Sequence, residues 1–408
     1  MNAKRSATVR LVFAVISALL IAQAGVAATL NTPLTSNRKL RTVKKSPHAR
    51  RRTHHVVARS RRVPSRTVRT ARQHPLHYYF PEHYFASSYA SDITDGDITA
   101  GEDPVVRQAA TDAIGVMNGT VVAIEPNSGR ILAMVNQKLG LRTGAQPCST
   151  IKLSVALAAL SEGIITKETQ LRLSGRYHMN LTLALAHSNN EYFEELGRQL
   201  GFEKVARYAH LYGLGELAGY RIAGESPGVY PAAAIPPDLG GVGKMCSFGE
   251  GISMTPLQLG ALVTAMANGG TMYYLQHPTT PSEVANFQPM VKRHLDIAGL
   301  IPELSDGMAG AVEYGTARRL LVNFNEEEVL GKTGTCSHAG TRFGWFAGYA
   351  NTDYGRIVVV VFLEGGRPTF GPKAAEIAGR MYRQLYDHNF FAARPAVSTA
   401  NPAKATSN

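Results

Sequence analysis

Three short clusters in this chain pair hydroxyls with lysines or amides at spacings that suit nucleophilic catalysis. In Ser149-Thr-Ile-Lys152 the i to i+3 spacing on a helix puts the hydroxyl and the amine on one face. A serine hydroxyl is a poor nucleophile until a base removes its proton, and a neutral lysine held near other cations can serve as that base. Ser188-Asn-Asn190 follows 39 residues after Ser149, just ahead of an apolar-periodic segment over 191–200. At that place Ser188 can relay a proton near a leaving group and Asn190 can bind a substrate amide. Lys332-Thr-Gly334-Thr335 opens a strand, where alternation points Lys332 and Gly334 the same way. Lys332 then supplies positive charge, and the bare Gly334 lets a substrate backbone lie close. Taken singly, each cluster also reads as ordinary structure, and for the first two that is the stronger reading: a capped helix start, a plain helix cap, an edge strand carrying a lysine. Their combination and order are what point to chemistry.

The elements that must position these clusters can be read from apolar spacing. Residues 120–125 and 130–136 read as two short strands joined by the turn Pro126-Asn-Ser-Gly129. Apolar residues at 151, 153, 156, 157 and 160 predict a helix over 149–162, closed by Gly163. Thr255-Pro-Leu-Gln258 is a capping box with proline at the first helical position, and its helix runs to Asn268-Gly269. Strands return at 328–337, 342–350 and 356–363, and an amphipathic helix over 372–387 follows. This pattern predicts an α+β fold. One antiparallel five-stranded sheet is covered by helices and interrupted by a helical subdomain carrying the first two clusters, and its last strand pairs with the first group.

Taken together, the three clusters resemble the signature of the penicillin-binding protein and serine β-lactamase superfamily, S-x-x-K, S-x-N and K-T-G. The likeness covers about 105–388. Residues 119–134 are similar to the opening strands of transpeptidase domains. Gly249–Leu259 with Ala267-Asn-Gly-Gly270, Gly315-Thr-Ala317 and Gly344–Tyr349 are similar to further segments of penicillin-binding proteins. The resemblance implies an acyl-enzyme mechanism in which Ser149 attacks the penultimate D-Ala carbonyl, with Lys152 as base. It implies an oxyanion hole from the backbone N–H groups of Ser149 and Thr335. Ser188 would return the proton to the leaving D-Ala, and Lys332, Thr333 and Thr335 would hold the terminal carboxylate. The expected partners are peptidoglycan stem peptides and β-lactams, with no metal and no cofactor. Two features depart from the family pattern. Pro147-Cys148 precedes the serine where glycine is common, and the gap to Ser188 is short, which implies a trimmed helical region.

Of the three cysteines, Cys148 precedes the nucleophile and Cys336 lies two past Gly334, on the strand face it shares with Lys332. The resemblance implies that this strand runs beside the start of the serine helix. A Cys148–Cys336 disulfide would then match the cystine of class A carbapenem-hydrolysing β-lactamases, with Cys246 left free. The competing expectation is three unpaired small hydrophobes.

Charge is unevenly spread. Residues 1–80 hold 17 of the 43 Lys+Arg and no Asp or Glu, leaving 26 basic residues against all 30 acidic ones in the remainder. The remainder thus carries about −4 against +13 for the whole chain, so the high pI gives no support for a basic catalytic surface. Residues 1–28, with Lys4, Arg5 and Arg10 ahead of an apolar run and small residues to Ala28, read as a signal peptide in preference to a membrane anchor. Export to the periplasm or the outer face of the cytoplasmic membrane follows. Residues 29–75 read as a disordered polybasic arm, solvated or touching anionic lipid or wall polymer through 38–72. Nucleic acid is not an expected partner of an exported chain. Residues 76–117 read as a short lead-in, 118–390 as the transpeptidase domain and 391–408 as a disordered tail. Neither a glycosyltransferase domain nor a large pedestal is expected upstream of Gly119, so the arm, an anchor or a partner, such as one that polymerises glycan, is expected to position the domain at the wall. The function expected is a peptidoglycan D,D-transpeptidase or carboxypeptidase. The alternatives are a serine β-lactamase, which needs a further base for the deacylating water, and a non-catalytic β-lactam sensor module.

Overall fold

The computed structural model describes residues 84–352 and 355–391. The expected export segment 1–28, the arm 29–75, the first residues of the lead-in (76–83) and the tail beyond Phe391 lie outside the described residues.

The central sheet is built from Gly119–Glu125 (β1), Arg130–Val135 (β2), Val329–His338 (β3), Thr341–Thr352 (β4) and Gly355–Gly365 (β5). Its order is β2-β1-β5-β4-β3, antiparallel throughout, so β5 returns to pair with β1 (Val121 opposite Val361). The run Arg356-Ile-Val-Val-Val-Val-Phe-Leu363 lacks alternation because both faces of β5 are covered. Val359 and Val361, with Val121 and Ala123, meet Ala374, Ile377 and Met381 of the C-terminal helix Gly371–Asp387. Val358 and Val360, with Val122 and Ile124, meet the inserted helical region on the other side. In that region the helix Pro256–Ala267 is buried at every position, as an all-round apolar sequence requires, and Thr255 and Gln258 complete the capping box.

A helix at Pro104–Ile114 adds to the first face, inside the stretch expected as a lead-in. It was hard to see because only Val106, Ala109, Ala110, Ala113 and Ile114 form its buried stripe, three of them alanines. Asp103 caps it by accepting from the Val105 and Val106 amides.

The serine segment differs from a simple helix start. Cys148–Ile151 is a 3-10 turn, and the α-helix begins at Lys152 and runs to Ser161. Its residues 152–160 are all buried. The helix ends where expected: Gly163 takes φ +65°, and the Ile164 amide bonds back to the Ala159 carbonyl. Strand β3 lies at the sheet edge, paired with β4 alone, and the start of the serine helix packs against it. Among the described residues no helix is long and apolar enough to cross a membrane.

Candidate active site

The turn before the serine is anchored from several sides. The Gln146 carbonyl accepts from Trp345 Nε1 of β4 at 3.0 Å, and Gln146 Nε2 donates to the Phe248 carbonyl and to Glu250. Cys148 sits at φ +52°, a left-handed conformation uncommon for a residue with a side chain, and is joined to Cys336 of β3 by a disulfide with Cα atoms 5.5 Å apart. Gly334 of β3 lies beside the same turn. A Cβ there would stand 2.9 Å from the Pro147 carbonyl oxygen and 3.3 Å from the Ser149 amide nitrogen, so only glycine brings the strand backbone this close.

Ser188 and Asn190 arrive through a corner between two helices. Leu181–Ala186 ends at His187, Asn189 caps Asn190–Leu200 by accepting from the Tyr192 amide, and Ser188 between them takes φ +55°. The plain cap expected for this cluster therefore belongs to Asn189. Ser188 and Asn190 turn inward to Lys152.

Lys152, fully buried, is the hub. Its Nζ lies 3.0 Å from Ser149 Oγ and 3.2 Å from Ser188 Oγ, and it donates to the Ser188 carbonyl at 2.8 Å and to Asn190 Oδ1 at 2.7 Å. The ring of Phe193 stands over it, 5.5 Å from Nζ to the centroid. Lys332, also fully buried, donates to Ser188 Oγ at 2.8 Å and to the Thr333 carbonyl at 2.9 Å. Burial, and then the positive charge of Lys332, push the Lys152 ammonium well below its usual range, with Glu194 opposing. Burial alone pushes Lys332 down to about 7. The cluster therefore favours an uncharged Lys152 more than water would.

Thr333 and Thr335 leave β3 on the other side from Lys332 and Gly334, as alternation requires. Thr333 Oγ1 donates to Thr316 Oγ1 at 2.6 Å, and Thr335 Oγ1 accepts from the Gly371 amide at 2.8 Å. Ser149, Lys152, Ser188, Asn190 and Lys332 thus form one hydrogen-bonded cluster, Gly334 packs on its edge, and the two threonine hydroxyls face a neighbouring surface. Thr316, Gln146, Trp345 and Asn189 had no assigned part in the sequence reading. Gly315-Thr-Ala317 and Gly344–Tyr349 stood out there as family-like segments, which was the available signal for Thr316 and Trp345. Among the described residues no group of His, Cys, Asp and Glu could hold a metal ion.

The sequence matches the penicillin binding protein transpeptidase domain over residues 119–386. It is 28% identical to the stage V sporulation protein D of Bacillus subtilis, in an alignment covering 64% of this chain and 48% of that protein. It is 25% identical to the peptidoglycan D,D-transpeptidase MrdA of Acinetobacter baumannii, covering 69% and 52%. The chain spans about half the length of these curated relatives. Among solved structures, PBP2 of Pseudomonas aeruginosa superposes with a TM-score of 0.58 at 24% identity, over 72% of this chain and 78% of that one. At that identity the superposition speaks to the fold.

Proposed function

The chain belongs to the penicillin-binding protein transpeptidase family, and on that premise we propose that it is a peptidoglycan D,D-transpeptidase acylated at Ser149 by D-Ala-D-Ala stem peptides and by β-lactams. The observation that carries this reading is the set of partners around Lys152 Nζ. A neutral amine has two N–H groups and one lone pair. The Ser188 carbonyl and Asn190 Oδ1 take the two N–H groups, which leaves the lone pair for the Ser149 hydroxyl 3.0 Å away. That is the geometry of a general base within reach of its nucleophile.

Ser149 Oγ attacks the carbonyl of the penultimate D-Ala as its proton passes to Lys152. The developing oxyanion lies between the backbone N–H groups of Ser149 and Thr335, a reading supported by the close approach of Gly334 to the Ser149 amide. One such donor is worth about 2.7–4 kcal/mol of transition-state stabilisation. Ser188 Oγ, in contact with both lysines, carries a proton to the leaving amine as the C–N bond breaks. Asn190 orients the donor amide, and the hydroxyls of Thr333 and Thr335, with the charge of Lys332, hold the terminal carboxylate. A β-lactam opens by the same route. An amine from a second stem peptide then releases the acyl group; water in its place gives carboxypeptidation.

The disulfide supports an oxidising, exported location. Contact of residues 38–72 with anionic lipid or wall polymer, and a separate partner that polymerises glycan, belong to the same proposal. Benzylpenicillin added to the purified protein, followed over time by intact mass, tests it. A lasting adduct mapped to Ser149 is expected. Rapid turnover of the drug makes the protein a β-lactamase instead, and failure to form any adduct removes Ser149 as the nucleophile.

A further inference from the structure

Two adjoining cavities of about 310 and 480 Å³ meet at Arg319 and Phe370, beside the outer face of β3. The inner one is lined by Thr316 and Arg318, the outer one by Arg342 and Arg367. Among the described residues no carboxylate lines either cavity, and four arginines do. Beyond residue 80 the sequence has 30 acidic against 26 basic side chains, so four arginines grouped here run against the general trend. The guanidinium of Arg319 lies 4.8 Å from the centroid of the Phe370 ring and 3.6 Å from Glu376, which fixes it at the junction. Arg318 is exposed. The inner end reaches the site itself, because Thr316 is hydrogen-bonded to Thr333, and Gly371, next to Phe370, to Thr335.

We propose that this arginine cleft binds the acceptor strand and selects an acceptor amine that carries a carboxylate beyond the one next to the amine. The inference rests on the transpeptidase reading above. The donor peptide ends at its terminal carboxylate, which that reading places at Thr333 and Thr335. Space continuing past those hydroxyls therefore belongs to a different molecule. By microscopic reversibility the acceptor amine enters along the path the leaving amine took. Its neighbouring carboxylate replaces that of the departed D-Ala, and a further anionic group extends to Arg318 and Arg319. In the transfer step the acceptor nitrogen bonds to the acyl carbon, and the bond from that carbon to Ser149 Oγ breaks. The proton lost by the amine passes to Ser188 and returns to Ser149 through Lys152. Water, the acceptor in hydrolysis, makes no use of such a cleft.

The test uses the full chain, the N-benzoyl-D-alanyl thiolester of thioglycolate as donor, and D-glutamate and D-glutamine as competing acceptors. The two amino acids have the same size and differ by one distal charge. Product analysis gives the ratio of the two transfer products, which is read from one acyl-enzyme population and is independent of the active fraction. The wild-type protein is expected to favour D-glutamate by about tenfold, the scale of one charge-assisted hydrogen bond. The ratio should fall to within about twofold in Arg318→Ala/Arg319→Ala and decline as salt is raised. Arg318→Ala alone, at an exposed position, should fall between and keeps the test available if the double variant does not fold. A ratio near one in the wild type, an unchanged ratio in the double variant, or an acyl-enzyme that hydrolyses and refuses both acceptors would overturn the cleft and leave acylation at Ser149 standing. No acyl-enzyme at all would overturn the underlying reading as well.

Discussion

Lys332 of β3 donates to Ser188 Oγ at 2.8 Å, linking two residues 144 apart in sequence. Lys152 approaches the same hydroxyl at 3.2 Å from the other side. Two buried amines sharing one hydroxyl cannot both hold a proton cheaply, so their titrations are coupled and belong to the pair.

A pH profile follows from that coupling. On the proposed mechanism Lys152 has to be neutral to accept the Ser149 proton, and burial together with Lys332 already holds its affinity for protons low. Lys332 has to be charged to attract a carboxylate, and burial brings it down to about 7. Acylation by benzylpenicillin should therefore rise with pH on the acid side as Lys152 loses its proton. It should decline on the alkaline side, above about 7, as Lys332 loses its own. Stopped-flow acylation rates between pH 5 and 9 check this, and a flat profile across that range rejects the assignment of the two amines.

Ser149→Ala should abolish labelling by a fluorescent penicillin and leave the thermal midpoint within about 3 °C, because a half-buried hydroxyl contributes little to packing. Lys152→Ala should slow acylation by about 10²–10⁴-fold, the usual worth of a positioned base. Labelling of the serine variant at the wild-type rate would exclude Ser149 as nucleophile.

Thr316 is hydrogen-bonded to Thr333 through its hydroxyl and to the Ala186 carbonyl through its amide, both outside the Lys152 cluster that holds Ser149, so its part is positioning. Thr316→Val removes the partner of the Thr333 hydroxyl without changing side-chain size. The expected result is a KM for a D-Ala-D-Ala-terminated peptide raised about tenfold with kcat within about threefold, as for lost uniform binding. Thr316→Ser should restore it. A fall in kcat at constant KM would place Thr316 in the chemical step instead.

Much of this site was legible because short-range spacing fixes side-chain direction. Ser149 and Lys152 meet whether the turn is 3-10 or α, and alternation alone put Cys336, Gly334 and Lys332 on one side of β3. The sheet was legible from its apolar runs, including the return of β5 to β1. What escaped depends on contacts that have no period. The pairing of Thr333 with Thr316 joins a strand to a loop, and the burial of Lys332 comes from elements far away in sequence. The left-handed backbone at Cys148 and Ser188 carries no local mark, since neither residue is one that favours it. The helix Pro104–Ile114 packs through alanines, which give a faint stripe.

The bridge between Cys148 and Cys336 closes a separation of 188 residues and ties the turn that carries Ser149 to the strand that carries Gly334 and Thr335. Cys246 is buried against Gly197, and burial pushes its thiol up to about 12, so it should not react in the folded protein. Thiol titration should therefore find no reactive thiol in the native state, one on unfolding without reductant, and three after reduction. Three thiols in the unreduced, unfolded protein would end the assignment. On the chain-entropy account a loop of this length is stabilised by about 5 kcal/mol. Cys148→Ser/Cys336→Ser should then lower the thermal midpoint by about 10 °C. The function should suffer as well, because the two backbone segments proposed to supply the oxyanion donors lose their covalent spacing. A shift of about 1 Å at such a site costs up to two orders of magnitude, so acylation by benzylpenicillin should slow by about tenfold or more below the variant's melting range. An acylation rate equal to that of the wild type would show that Gly334 packing and the Trp345 bond to Gln146 hold the turn without help from the bridge.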